Sequence, residues 1–405
     1  MRATAVREWE ASESMNTIYG PGHDRDAVAA TLGISWDDAR RRVLARIGTY
    51  VAQETPSAHQ ELLDALASVV ADDLRAAGAT VTSHPAPGLG TNLVAEVPGD
   101  VDDRPVLLLG HLDTVHPVGA FGTNELRLEG DRAIGPGVYD MKAGVALLVE
   151  ALTLLHERGE RPRRPVRFLV TCDEEIGSHS SRGIIEDHAR QAAAVLVPEP
   201  SMPDGGVKTR RKGVATYRIE TTGQAAHAGI DPGLGISASQ ELAHQLVDVF
   251  ALADHARGTT INVGMMGAGT ATNVIPAKAW ATIDVRIAEP DEGERIHTAL
   301  MALQPHDPRA KVQVQRTEHR GPLVRTAGVV ALYEHARGIA AQLGHDLGEG
   351  GTGGGSDGSL AAAVGADVLD GLGPRGAGAH TLDEHIIVDD LPFRLALLCG
   401  LLKTL

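Results

Sequence analysis

Cysteine and positive charge are both scarce in this chain of 405 residues. The two cysteines, Cys172 and Cys399, are too few for a disulfide framework, so we interpret them as buried free thiols in a reducing compartment. Lys and Arg number 37 against 53 Asp and Glu. The resulting net charge of -16 argues against a nucleic-acid partner, because binding phosphates needs a basic face.

Long apolar runs are also missing. No stretch of the sequence reaches the roughly 18 apolar residues that a membrane span requires. Residues 1–17 contain no apolar run of the length found in signal peptides. We therefore expect a cytoplasmic protein that binds neither a membrane nor a nucleic acid.

The length of the chain exceeds that of a typical single core, which predicts two domains. Residues 1–35 are polar and mixed, and they predict an N-terminal extension. From Trp36 onward, helical segments alternate with continuous apolar runs such as VLLLGHLDTV, which are typical of strands buried on both faces of a parallel sheet. This alternation predicts an α/β fold over residues 36–206 and 321–405, with a mostly parallel sheet covered by helices on both faces.

A different pattern fills residues 207–320. The segments VATYRIETTG, TTINVGMMG and AKAWATIDVRI alternate in strand fashion, and two helical stretches accompany them. Two pairs of strands with two helices predict a smaller α+β domain of ferredoxin-like type, inserted into the first domain. Gly321 and Pro322 mark the predicted return to that first domain.

Seven residues of the kinds found in metal sites lie at or near the ends of apolar segments. They are His111, Asp113, Asp140, Glu174, Glu175, Glu199 and His380. Imidazole and carboxylate ligands together suit zinc-class ions, and the strand ends of an open α/β sheet meet in the crevice where ligands bind. A cluster of carboxylates repels itself unless cations neutralise it. Because a water molecule held between two such ions is a nucleophile at neutral pH, the pattern predicts a two-metal hydrolase.

Taken singly, each of these residues has an ordinary structural explanation. Asp140 precedes a helix, where Asp is a common N-cap. Paired acids such as Glu174 and Glu175 at a strand end are usually solvated, and His380 is one of 18 histidines. Only the joint pattern favours metal binding, because independent accidents rarely place several acids at several strand ends.

Further motifs accompany these residues along most of the chain. In chain order the segments are GHLDTVHP, GPGVYDMKAG, TCDEEIGS, VPEPS, RKGV, TGQAAHAG, ATNVIPAKA, DVRI, TGGGSDGS and GAGAHTLDE. As a set they resemble the di-zinc aminoacylase/carboxypeptidase family, which includes glutamate carboxypeptidase, aminoacylase, acetylornithine deacetylase and succinyl-diaminopimelate desuccinylase. GPGVYDMKAG and the Gly-rich TGGGSD stretch look most like the glutamate carboxypeptidase branch.

The resemblance implies two divalent metal ions with this set of ligands: His111 and Glu199 for one ion, Glu175 and His380 for the other, and Asp140 as the bridge between them. Glu174 would be the general base that takes a proton from the attacking water and later gives it to the leaving amine. Asp113 would orient His111. Zinc is the metal expected from the family, and Mn²⁺ or Co²⁺ fit the same ligands.

The resemblance also implies a homodimer built on the inserted domain. His227, in AAHAG, is similar to the family histidine that reaches into the partner's active site and stabilises the oxyanion; the alternative is an ordinary turn histidine. Asn273 and Arg286 resemble substrate contacts, and the planar fork of an arginine suits a substrate carboxylate. Arg286 could instead lie on the sheet surface. The basic run at 210–212 either helps to hold an anionic substrate or forms a solvated turn.

We therefore expect a homodimeric, metal-dependent hydrolase that cleaves an amide bond next to a free carboxylate of a small substrate, as a carboxypeptidase or an N-acyl amino acid amidohydrolase. One alternative is a specialised C–N hydrolase of the same family, such as a metabolite deacylase, a carbamoyl hydrolase or an aromatic deaminase. The other is a non-catalytic, metal-stabilised binding protein. Tyr139 and His116 depart from the family pattern. We expect His116 at the rim or surface of the site, and either residue could trim the pocket.

Overall fold

The structure is a computed structural model that describes residues 23–122 and 125–405. The described helices are α1 (Arg25–Leu32), α2 (Trp36–Val51), α3 (Gln60–Ala76), α4 (Ala143–Glu157), α5 (Arg182–Gln191), α6 (Ala238–Phe250), α7 (Pro290–Met301), α8 (Ala327–Gln342), α9 (Asp357–Ala363) and α10 (Leu391–Thr404). Within these residues, no helix combines the length and the apolarity needed to cross a membrane.

The strands divide among four sheets. They are β1 (Thr80–Ala86), β2 (Gly90–Val97), β3 (Val106–His111), β4 (Arg127–Glu129), β5 (Arg132–Ile134), β6 (Val166–Thr171), β7 (Ala194–Leu196), β8 (Val207–Arg211), β9 (Gly213–Thr222), β10 (Thr260–Ala268), β11 (Lys278–Ile287), β12 (Lys311–Arg320), β13 (Glu349–Thr352), β14 (Val368–Leu369), β15 (Gly376–Ala377) and β16 (His385–Ile387). β13 and β8 form a two-stranded sheet, and β15, β16, β5 and β4 form a sheet of short strands in that order.

The larger domain is built on a six-stranded sheet with the order β1-β2-β6-β3-β7-β14. β6, β3, β7 and β14 run parallel, whereas β1 and β2 form an antiparallel edge. In β3, Leu108 packs in the core shared with α2, α3, α4 and α10, while Leu107 and Leu109 pack in the core shared with α5 and α9. The strand is buried on both faces, which explains its continuous apolar sequence. The predicted α/β class, with helices on both faces of a mostly parallel sheet, is confirmed.

The expected N-terminal extension, residues 1–35, is only partly described, because residues 1–22 lie outside the described part of the chain. Residues 25–32 form α1, so the helical part begins before the expected start at Trp36. The side chain of Asp24 caps this helix by accepting two backbone hydrogen bonds at 3.0 and 3.1 Å. Val28 and Leu32 are buried in the main core, so α1 is part of the larger domain.

An aromatic cluster precedes α1. The ring of His23 stacks on Phe393 of α10 at 4.4 Å between centroids and lies 4.9 Å from the ring of His345. Burial lowers the pKa of His23 to about 4, although Asp390 opposes this effect. A neutral imidazole therefore helps to dock the start of α1 on the closing helix of the domain.

The second domain follows the order β9-α6-β10-β11-α7-β12, with an antiparallel sheet ordered β10-β11-β9-β12. This βαββαβ arrangement is ferredoxin-like, as predicted. The domain has its own core, in which Tyr217 and Ile283 of the sheet pack with Leu242 of α6 and Ile296 of α7. β10 and β12 are the edge strands of the sheet, so each is hydrogen-bonded to a neighbouring strand of this sheet on one side only.

The boundary between the domains differs from the predicted position at 207. β8 pairs in parallel with β13 of the larger domain, so the inserted sheet begins at Gly213. The chain crosses between the domains at 211–213 and again at 320–323. Arg211 and Leu323 in these two crossings exchange backbone hydrogen bonds of 3.0 Å in each direction. The two crossings therefore run side by side, and we call this double connection the hinge.

Candidate metal centre

Neighbouring parallel strands carry three of the predicted ligands to one edge of the central sheet. β3 ends at His111, Glu175 follows β6 in a short 3₁₀ turn, and Glu199 follows β7. Asp140 lies just before α4, and His380 lies in the loop between β15 and β16. All five side chains meet in the crevice at the carboxyl ends of the strands, where ligands of open α/β sheets bind.

These five side chains form two groups that share Asp140. In the first group, Nε2 of His111 lies 3.1 Å from Oδ1 of Asp140 and 3.6 Å from Oε1 of Glu199. In the second group, Nε2 of His380 lies 3.5 Å from Oδ2 of Asp140 and 3.2 Å from Oε2 of Glu175. Asp140 therefore presents a different oxygen to each group, which would allow it to be shared by two ions.

The spacing of these atoms fits divalent ions. Donor atoms about 2.1 Å from a tetrahedral ion are separated by roughly 3.4 Å, and the distances from His111 and His380 to their acids, 3.1 to 3.6 Å, bracket that value. Hydrogen bonds to Asp140 and Glu175 raise the pKa of His380 to about 10. Burial lowers the pKa of His111, but its acidic neighbours raise it well above the usual value. The acids thus favour positive charge at this place, which bound cations would supply.

Asp113 is buried beneath the two groups and connects three segments of chain. Its carboxylate accepts hydrogen bonds from the amides of Glu174 at 3.0 Å and Glu175 at 3.1 Å, and from the hydroxyl of Ser57 at 2.8 Å. Nδ1 of His111 lies 2.9 Å from the Asp113 carbonyl oxygen and 3.4 Å from its carboxylate. Asp113 therefore fixes both the His111 ring and the turn that carries the two glutamates.

Glu174 is buried beside the two groups and belongs to neither. Burial raises its pKa to about 8, and Arg320 acts in the opposite direction. Arg320, the last residue of β12, donates to Oε1 of Glu174, to the Glu174 carbonyl oxygen at 2.6 Å and to the hydroxyl of Ser178 at 3.1 Å. Ser178 in turn donates to Asp357. Sequence reasoning missed Arg320, because one basic residue at the end of a largely polar strand carries no motif.

The loop that carries Asp140 is supported from below by Glu384. Oε1 of Glu384 accepts hydrogen bonds from the amides of Tyr139 at 2.8 Å and Asp140 at 3.0 Å, and Oε2 accepts from the amide of Gly137 at 3.1 Å. Nε2 of His116 lies 2.5 Å from the same Oε2. The prediction that His116 lies at the rim or surface is therefore wrong: the residue is buried and holds Glu384 in place.

A cavity of 590 Å³ opens on the two groups between the domains, and Tyr139 forms part of its wall. Lys208 lines it too. Its side chain is buried, burial lowers its pKa, and its ammonium group forms no hydrogen bond with the described residues. Arg211 is also buried, and its guanidinium donates to both oxygens of Asp370, at 2.8 and 2.7 Å, and to Glu199 at 3.4 Å. At position 211, the interpretation as a solvated turn is therefore wrong.

The three residues predicted to contact substrate lie in the inserted domain. Arg286 lines the cavity, but Nε and Nη2 donate to the carboxylate of Asp284 at 2.8 and 2.9 Å, and Nη1 donates to the carbonyl of Gly353 at 3.2 Å. His227 and Asn273 are exposed, and neither is among the described residues that line this cavity. A single chain therefore brings Arg286 to the metal groups and leaves the other two residues apart from them.

Comparison with known proteins adds independent evidence. The model of a family described as Peptidase family M20/M25/M40 matches residues 107–404. The chain is 33% identical over 375 residues to carboxypeptidase G2 of Pseudomonas sp. (strain RS-16), covering 91% of this chain and 90% of the relative. It is 27% identical over 327 residues to a succinyl-diaminopimelate desuccinylase of Thioalkalivibrio sulfidiphilus, covering 75% and 84% of the two chains.

A solved structure shows the same fold. The M20 family metallo-carboxypeptidase of Sulfolobus solfataricus superposes with a TM-score of 0.71 over 89% of this chain and 98% of that chain, at 17% sequence identity. The likeness extends through both domains, since only about a tenth of the chain is left uncovered. The resemblance drawn from the sequence motifs is confirmed.

Proposed function

The chain belongs to peptidase family M20/M25/M40, whose members hydrolyse amide bonds, and we propose that it cleaves an amide bond next to a free carboxylate, as a carboxypeptidase or an N-acyl amino acid amidohydrolase. One observation carries the proposal. The two groups that share Asp140 lie beside the buried acid Glu174 and open on a cavity that also holds the cation of Lys208. The family implies divalent metal ions, and we propose zinc, because the side chains are imidazoles and carboxylates.

The proposed reaction assigns the proton transfers to Glu174. When bound, two divalent ions would acidify a water molecule and stabilise the negative charge that develops on the substrate carbonyl oxygen. Glu174 accepts the proton of the attacking water and donates it to the leaving nitrogen as the C–N bond breaks. Arg320 holds Oε1 of Glu174, which leaves Oε2 for the water, and its charge favours the ionised form of the base.

The proposed requirement for a substrate carboxylate rests on the basic residues of the cavity. Burial lowers the pKa of Lys208 although Asp370 and Glu199 act in the opposite direction, so an anion bound beside its ammonium group would stabilise the charge further. Arg286 supplies a second cation from the inserted domain if its guanidinium exchanges Asp284 for the substrate. Asn273 is proposed as a further contact that needs either domain closure or the partner chain.

We also propose that the inserted domain, predicted at 207–320, is a dimerisation and lid domain. Edge strand β10 exposes Met265 and Met266, which retain 59% and 66% of their accessible surface. Val247 and Phe250 of the adjacent α6 are similarly exposed, at 69% and 50%. An apolar sheet edge with exposed side chains of this kind favours aggregation of a monomer and is typical of a surface that pairs with a second chain.

The tautomer of His227 suits a role in the partner's active site. Its Nδ1 accepts hydrogen bonds from the amides of Gly229 and Ile230, both at 3.1 Å. The proton of the neutral ring must therefore lie on Nε2, which becomes a donor. We propose that this donor stabilises the oxyanion in the active site of the partner chain.

The first test of the function is a substrate screen on metal-loaded protein. The chain is stripped with a chelator, reloaded with Zn²⁺, Mn²⁺ or Co²⁺, and offered N-acyl amino acids, folate-type glutamyl amides, dipeptides and aminobenzoates, with amine release as the readout. We expect release from acyl amino acids or glutamyl amides, and no release after chelation. If the loaded protein only releases ammonia from aminobenzoates, or cleaves only amides that lack an adjacent carboxylate, it is a specialised C–N hydrolase of the family and the proposal is wrong.

A further inference from the structure

A second cavity, of 370 Å³, lies at the hinge between the domains. Side chains of an extended strand alternate between its faces. Arg211, at the end of β8, turns towards Glu199 in the metal centre, while its neighbours Arg210 and Lys212 turn the other way and line this second cavity. The segment at 351–353 closes the cavity next to them, with Thr352 accepting a hydrogen bond from the amide of Lys212 at 2.9 Å.

The hinge cavity carries a surplus of positive charge. Apart from Arg211, whose guanidinium is paired with Asp370 and Glu199, the charged residues that line it are Arg210, Lys212 and Arg325 and, as the acid among the described residues, Glu289. Arg325 is paired with Glu349 at 2.6 and 2.8 Å, and Nζ of Lys212 donates to the carbonyl of Gly258 at 2.7 Å. The Arg210 guanidinium forms no hydrogen bond in the described part of the chain, although its charge interacts with that of Glu349. In a chain with a net charge of -16, the cavity is therefore a local patch of positive charge.

The glycine at position 351 allows Arg210 to reach this cavity. A Cβ added to Gly351 would lie 3.2 Å from Cβ and 3.4 Å from Nε of Arg210, closer than side chains normally approach. Because the glycine has no Cβ, the stem of Arg210 lies directly against the backbone of the loop. Packing against the loop thus holds the guanidinium at the cavity, and its N–H groups make no hydrogen bond within the described residues.

We propose that the hinge cavity binds a small dianion, either a phosphate or a dicarboxylate, and that the bound anion fixes the relative orientation of the two domains. The anion would contact Arg210 and Arg325 of the larger domain and Lys212, whose ammonium group is bonded to Gly258 of the inserted domain. Arg211 turns to the metal centre, whereas Arg210 and Lys212 turn to the hinge cavity. The two sites therefore lie on opposite sides of the same segment of chain. The proposal does not depend on which amide bond the enzyme cleaves.

Calorimetric titration of the metal-loaded full chain tests the binding site. Inorganic phosphate is the probe in one arm and succinate in the other, which distinguishes the two kinds of dianion. Phosphate bound at the metal ions should give the same heat of binding in every variant. The affinity of the hinge cavity for phosphate should weaken by about tenfold or more in Arg210→Glu, because a charge-assisted hydrogen bond is lost and a repulsion is added. Arg161→Glu, the same charge change at an exposed position, should retain both components.

Two results would overturn the site: equal titrations of Arg210→Glu and the unchanged protein, or a crystal of the complex with the anion at the metal ions only. The effect on domain orientation has its own readout. Hydrogen exchange at 320–323 should slow when phosphate is added to the unchanged protein and stay the same in Arg210→Glu. Identical exchange with and without phosphate would refute the fixing of the hinge. Since neither experiment uses turnover, a wrong substrate assignment leaves both results interpretable.

Discussion

Replacing Glu174 by Gln tests its proposed role as the general base independently of metal binding. Gln has the same shape and keeps an oxygen for Arg320, but it cannot accept a proton from water. We therefore expect kcat to fall by about 10²–10⁴-fold, the contribution typical of general acid–base catalysis, which equals about 2.7–5.5 kcal/mol of transition-state stabilisation. Metal content and KM should stay near their original values, because Glu174 belongs to neither group of metal-type side chains.

Glu175→Gln is the matched control, since it makes the same chemical change at the adjacent residue. Oε2 of Glu175 lies 3.2 Å from Nε2 of His380 in the second group, so this variant should lose metal. Metal content is measured by plasma mass spectrometry after dialysis, and kcat by amine release at saturating metal. If Glu174→Gln keeps more than about a tenth of kcat, a loss of under 1.4 kcal/mol, or loses metal as Glu175→Gln does, the division of roles between the two glutamates is refuted.

Four further predictions address substrate, metal, acid stability and assembly. Lys208→Met should raise KM for a carboxylate-bearing substrate by about tenfold with kcat little changed, since one charge-assisted contact is lost; an unchanged KM places the carboxylate elsewhere. Chelation should lower the melting temperature, because ligand at 100 times its Kd adds about 2.7 kcal/mol to the free energy of unfolding; equal melting curves mean that no metal is bound. The pKa of folded His23 is lowered to about 4 from 6.5, so its stabilisation is complete above pH 6.5 and is lost as the pH falls from 6.5 to 4; urea denaturation should show this loss in the unchanged protein and a smaller one in His23→Phe. Mixed dimers of His227→Ala and Glu174→Gln should recover activity, because one site then has both residues; no recovery would contradict a role for His227 across the interface.

The sequence contained enough to predict the class of the larger domain and the composition of the metal groups. Continuous apolar strands imply a buried parallel sheet, and the ends of neighbouring parallel strands must lie together, so His111, Glu175 and Glu199 could be expected at one edge. Asp140 and His380 depend on loops, and only the family motifs pointed to them. The structure brings all five together, and the ferredoxin-like insertion is confirmed.

The residues that sequence reasoning missed act through single long-range contacts. Arg320 reaches Glu174 from the end of another domain's strand, and Glu384 holds the backbone of Asp140 from a distant loop with His116 beneath it. Neither arrangement has a periodicity or spacing that a sequence displays. The helix α1 was missed for a different reason: it is only eight residues long, and its place in the core depends on partners such as Phe393 far along the chain.

The order in which the metal groups are assembled along the chain has a consequence for biosynthesis. His111, Asp140 and Glu199 precede the inserted domain, whereas His380 and the almost wholly buried α10 follow it. Since a chain leaves the ribosome N-terminus first and domains fold as units, the inserted domain can fold while the second group still lacks its histidine. If the proposed ligands are right, the nascent protein has no complete pair of metal sites until translation has passed residue 380. The hydrolytic activity therefore arises only when nearly all of the chain has been synthesised.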